Sequence, residues 1–206
     1  MKEKNKVDKK VERTKNLLKS TLCELAETKS IEKITIKEIA EKAGVSRGTF
    51  YLHYNSIYEI RNEIVDDALT YTKELLSVYH GEYTNEIYQN VLSDLADYFY
   101  NDLPRCYFLF SNQHFRNEFA KEIEDIYYYL WKKETNVDLE TADWEMLIGY
   151  HLAGLEKCID FWIADEQRFT KAEFLEMLAF LDAEFDKVIS DFLRNKVKKQ
   201  THSKTH

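Results

Sequence analysis

The chain has 206 residues, 44% hydrophobic and 14% aromatic, which is enough apolar material for a packed core and excludes a wholly disordered protein. Five glycines and one proline exclude a turn-rich β protein and point to an all-α fold with short connections. The net charge of -8 is unevenly spread: residues 1–54 hold 13 Lys and Arg against 8 Asp and Glu, leaving 16 against 29 for the remainder, so a polyanion is attracted to one end only.

Residues 1–9 have almost no apolar content and read as a flexible basic arm. From about residue 10 to 28, Leu17, Leu18, Leu22, Leu25 and Ala26 recur at helical spacing. After the connector TKSIEK, Thr35 and Glu38 form a capping-box pattern that starts a second helix with an apolar stripe of Ile36, Ile39, Ala40 and Ala43. Gly44 is the residue type that ends a helix in the left-handed conformation, and Ser46 is a good N-cap two residues later. Ala40 is small enough for a close crossing, and Val45 and Phe50 anchor the turn. Helix, tight turn and helix therefore follow one another within residues 35–54, leaving Arg47, Gly48 and Thr49 on the exposed first turn.

A long helix is expected over 57–79, closed by Gly81, and further helices over 84–101, 103–112, 115–134, 142–164 and 171–195. Pro104 opens the third of these segments, and Thr170 with Glu173 repeats the capping-box pattern at the last. The expected organisation is a DNA-binding domain at 10–65, a helical body at 66–195 and a loose polar tail at 196–206. Cys23, Cys106 and Cys158 lie far apart without a C-x-x-C spacing, so neither a disulfide framework nor a zinc site is expected. No secretory leader pattern or run of eighteen apolar residues is seen, which implies a cytoplasmic protein with no membrane span.

The segment ITIKEIAEKAGVSRGTFYLHY resembles the TetR family of bacterial transcriptional regulators, densely over 34–54 and in layout over about 10–65. The resemblance implies an N-terminal three-helix helix-turn-helix domain followed by a C-terminal ligand-binding and dimerisation domain. It further implies that Thr35 touches a phosphate, that Ser46, Arg47, Gly48 and Thr49 face the major groove, and that Tyr51 and His53 hold flanking phosphates. The residue chemistry suits these roles, because helix N-termini accept phosphates and arginine reads guanine with two bonds. Two positions depart from the family pattern. Ile57 stands where a phosphate-binding Lys is usual, and Ser30 where a Gly commonly ends the first helix.

Fifteen of the 29 aromatic residues fall between Tyr79 and Trp131. Most are expected to be ordinary core, with a subset among Tyr98, Phe99, Tyr107, Phe108, His114, Phe115, Phe119 and Tyr127 lining a pocket for a small apolar effector, neutral or cationic. Two later stripes, Trp144, Ile148, His151, Leu155 and Ile159, then Phe174, Leu178, Leu181 and Phe185, suit either packing within one chain or a homodimer interface. The interface is preferred because a palindromic double-stranded operator wants a two-fold partner. No hydrolase, phosphate-loop or metalloprotease motif is present, and no metal or cofactor is expected. The leading reading is a homodimeric repressor released by a ligand. The alternative, kept open by Ile57, is a co-activator or adaptor of the same fold with weak DNA binding.

Overall fold

The computed structural model describes residues 2–77, 85–135, 141–165 and 168–203, and its elements there are helical. They are α1 (Lys2–Ala26), a 3-10 turn (Ile31–Lys33), α2 (Ile36–Lys42), α3 (Arg47–Tyr51), α4 (Ile57–Leu76), α5 (Asn85–Tyr100), α6 (Leu103–Phe110), α7 (Gln113–Thr135), α8 (Thr141–Ala164) and α9 (Lys171–Ser203). The all-α expectation holds. Gly81, expected to close the fourth helix, lies outside the described residues.

Two helices are longer than their apolar periodicity indicates. α1 begins at Lys2, through the segment read as an arm, and α9 continues to Ser203, through most of the segment read as a loose tail. Both extensions are rich in Lys, with Glu or Gln among them, residues that favour helix without needing burial, so helix propagates past the end of the hydrophobic stripe. Periodicity reports where a helix packs, not where it stops.

The chain forms two compact units, Met1–Tyr71 with Asn101–Arg116, and Thr72–Tyr100 with Asn117–His206. The core of the first is built from Leu18, Leu22 and Cys23 of α1, Ile39 and Ala40 of α2, Phe50 of α3, and Ile60 and Ile64 of α4. α6 belongs to this unit and packs against α1, burying Cys106, Leu109 and Phe110. The boundary expected near residue 65 took no account of that return of the chain.

In the second unit Tyr127, Trp144, Ile148, Ile189 and Leu193 form a core, with Ile123, Leu147, Leu152, Leu155 and Phe185 packed against it. The Trp144 indole N–H donates to Glu124 Oε1 over 2.9 Å, so the ring is buried with its one donor satisfied. α9 packs on both α5 and α8, and Lys171 at its start pairs with Asp97 of α5. Among the described residues no helix is long and apolar enough to cross a membrane.

Candidate nucleic-acid interface and the helical body

The α2–α3 pair is held by caps at every free end. At the start of α2, Thr35 Oγ1 accepts from the Glu38 amide (3.2 Å), while the Thr35 amide and hydroxyl donate to Glu38 Oε2 (2.9 and 2.7 Å). Lys29 reaches the other Glu38 oxygen at 2.5 Å, so the carboxylate anchors the connector as well. Hydrogen bonds from Lys29 first, then Thr35, bring the Glu38 pKa down to about 2.

α2 ends in a Schellman arrangement. The Val45 amide donates to Ala40 O (2.9 Å) and the Gly44 amide to Glu41 O (3.2 Å), with Gly44 at φ +66°. Ser46 then caps α3, its Oγ accepting from the Thr49 amide at 3.0 Å. Phe50, wholly buried, pins α3 beneath, and its ring meets Tyr51 edge-on at 5.6 Å. Because every cap bond closes within five residues, the local sequence alone dictates this geometry.

What remains exposed is the leading turn of α3. Ser46, Arg47 and Gly48 are exposed, Thr49 is partly so, Tyr51 is exposed and His53 is half-buried. A Cβ at Gly48 would meet only Ser46 Oγ at 3.5 Å, an ordinary contact, so the fold itself does not demand glycine there. Ile57 is half-buried at the start of α4.

A capped helix, a four-residue turn with one left-handed glycine, and a second short helix capped by Ser46 with Arg47 bare on its first turn coincide with a family signature: residues 20–64 match the model for bacterial regulatory proteins of the tetR family. Residues 20–64 form a TetR-family DNA-binding domain, and the chain is a DNA-binding transcription regulator. A TetR transcriptional regulator from Streptococcus agalactiae 2603V has the same fold at TM-score 0.57 and 21% identity, over 84% of this chain and 96% of its own. The dihydroxyacetone kinase operon activator DhaS matches at TM-score 0.55 and 17% identity, over 87% and 97%. No curated protein matches the sequence.

Two charged clusters in this regulator have no signature in the sequence. In the first unit Lys19, almost fully buried, lies 2.7 Å from Glu63 and 2.5 Å from Asp67, and Lys15 lies 2.7 Å from Glu63. In the second unit Asp182 accepts from the Tyr127 hydroxyl and lies 2.9 Å from His151 Nε2, with His151 stacked on Phe185 at 4.4 Å. Burial holds the His151 pKa down at about 4. Nothing local marks either cluster, since the partners are up to 55 residues apart.

The residues read as a pocket do not form one group in either unit. Tyr107, Phe108, His114 and Phe115 belong to the first unit and Tyr98, Phe99, Phe119 and Tyr127 to the second. Phe115 is fully buried against Phe110, and Phe99 meets Phe119 edge-on at 6.0 Å, whereas Tyr107 and His114 are exposed. An apolar cleft of about 230 Å³ lies elsewhere in the second unit, lined by Cys158, Phe161, Trp162, Arg168, Phe169, Phe174, Met177 and Leu178. Of the expected pocket residues, none lines it.

The stripes expected at a dimer interface are largely spent inside the chain. Trp144, Ile148, His151 and Phe174 are buried, Leu155, Ile159, Leu178 and Phe185 are partly buried, and only Leu181 is exposed. α8 and α9 instead expose a second set, including Met146, Tyr150 and Phe161, then Met177, Phe180 and Val188. Among the described residues no group of three His, Cys, Asp or Glu is placed to hold a metal.

Proposed function

We propose that this regulator is a homodimeric repressor that binds a palindromic operator through α3 and is released by a small molecule. The observation that carries the DNA reading is the rigid, capped α2–α3 pair with Arg47 bare on its leading turn. A base-reading Arg must be presented without a competing carboxylate, and among the described residues none pairs with it. Ser46 and Thr49 flank it, and the missing Cβ at Gly48 allows a close approach by the nucleic acid. Tyr51 and His53 hold flanking phosphates. Both Thr35 donors are taken by Glu38, so the phosphate at α2 is best met by the first-turn amides of Ile36 and Lys37, with Thr35 ordering that turn.

The dimer reading rests on the outward faces of α8 and α9. Met146 is 76% exposed, Tyr150 75% and Val188 62%, and so many large apolar side chains along two adjacent helices suit an isologous contact with a second copy. Gly149 and Gly154 lie exposed among them, with nothing within 4 Å of an added Cβ. Mid-helix glycine costs about 1 kcal/mol relative to alanine, and close approach of a partner helix gives it a use.

Anisotropy titrations of the labelled region upstream of the protein's own gene test the reading. Binding that persists against excess unrelated duplex and follows a dimer stoichiometry supports it. Binding that unrelated DNA removes in proportion to its mass contradicts it.

A further inference from the structure

The cleft at the end of α8 and the start of α9 has aromatic walls in Phe161, Trp162, Phe169 and Phe174. Trp162 is 3% exposed and fixed in place, stacked on Phe174 at 4.4 Å and 7°, and on Tyr100 at 5.8 Å and 13°. Its indole N–H is buried with no acceptor among the described residues. Native interiors rarely tolerate such an orphan, because the donor has left water and gained nothing in return.

The second polar group at the cleft is Arg168, whose guanidinium sits 5.9 Å from the Phe169 ring centroid. Among the described residues no carboxylate pairs with it. The neighbouring Glu173 is committed to the amide and hydroxyl of Thr170, both at 2.8 Å, and Asp97 to Lys171. The cleft thus has aromatic walls, one charged donor in Arg168, a buried unpaired donor on the lining residue Trp162 and, among the described residues, no side-chain carboxylate.

We propose that this cleft binds a single-ring aromatic carboxylate, the ring stacked among the aromatic walls and the carboxylate accepting from Trp162 Nε1–H while pairing with Arg168. A neutral apolar ring would leave the indole donor orphaned, and a cation would face Arg168. A carboxylate satisfies both groups with charge-assisted bonds. The volume of about 230 Å³ suits one ring rather than a fused system. The acidic body does not oppose this, because at physiological salt its field is screened within about 8 Å. The site gives the effector a chemical class, and rests on the release reading only for its consequence on DNA.

Benzoate, benzamide and benzylammonium, which share one ring and differ in charge, serve as probes. Their binding to the DNA-free protein is followed by calorimetry and by protection of Cys158 from a thiol reagent. Cys158 lines the cleft, and the other two cysteines are buried. Benzoate is expected to bind about tenfold or more tighter than either analogue and to slow Cys158 modification. Arg168→Ala, an exposed position, should remove that preference, and Trp162→Phe, which keeps the stack, should weaken benzoate while sparing benzamide. Equal binding of the three probes, no protection of Cys158, or an Arg168→Ala variant that binds benzoate like wild type overturns the site. Titrating benzoate against a protein–operator complex separates the two readings. Binding without a change in DNA affinity leaves the site standing and counts against release.

Discussion

Lys19 Nζ lies 2.5 Å from Asp67 Oδ2 and 2.7 Å from Glu63 Oε1, so one almost fully buried ammonium joins α1 to two successive turns of α4. Burial alone would lower the Lys19 pKa and raise that of Glu63. The hydrogen bonds between them prevail, leaving Lys19 above and Glu63 below their ordinary values of 10.5 and 4.5. The raised lysine contributes stability that is complete below pH 10.5 and lost as pH rises through its folded pKa. The depressed carboxylate contributes stability that is present above pH 4.5 and lost as pH falls through its own. Lys19→Met should cost about 2 kcal/mol in urea unfolding at pH 7, with a smaller deficit at pH 3.

The two glycines of the helix-turn-helix should respond in opposite ways. Gly44 sits at φ +66° with open space around it, so Gly44→Ala meets only backbone strain, costing about 1–2 kcal/mol. Gly48 is helical with room for a methyl, so Gly48→Ala should leave stability unchanged or raise it by up to about 1 kcal/mol, yet weaken DNA binding. Unfolding curves and DNA titrations of the two variants check this.

His151 imposes a pH dependence of its own. With the folded pKa near 4 and the unfolded one near 6.5, the unfolded chain takes up the extra proton between those values, and stability falls as pH drops through that window. Thermal unfolding at pH 7 and pH 5 should differ by about 1–2 kcal/mol more in wild type than in His151→Gln. An equal pH response in both would show that the imidazole is not held neutral.

The inward and outward faces of α8 and α9 are separable by mutation. Tyr150→Glu with Val188→Glu should give a folded monomer by sedimentation, with helical content retained. Ile148→Glu, 3% exposed in the core beside Trp144 and Tyr127, should unfold the body at a cost of several kcal/mol.

The sequence disclosed most where the deciding interactions are short-range. Thr35 with Glu38, Gly44, and Ser46 with Thr49 each close a bond within a few residues, so the all-α class, the turn and the family were legible before any coordinates. Long-range choices were not. The Lys19–Asp67 tie spans 48 residues, and the packing of α6 on α1 has no periodic signature. α8 and α9 are apolar on two sides, and periodicity cannot say which side faces the protein's own core. The stripe of Trp144 and Ile148 read as an interface therefore proved to be largely core, while Met146 and Tyr150 face outward. The aromatic run from Tyr98 to Tyr127 contributes to both units, since ring content reports burial and not which rings share a cavity.

The proposed function requires sequence-specific recognition through α3. The direct measurement is selection of bound sequences from random duplex DNA, followed by titration of wild type and Arg47→Ala on the selected site and on unrelated DNA. The predicted result is an inverted repeat whose half-sites are centred about 34–36 Å apart or a multiple of that. On it, Arg47→Ala should lose about 1–3 kcal/mol, with little change on unrelated DNA. Failure to enrich any sequence, or an equal loss on both DNAs, would contradict base reading by this helix.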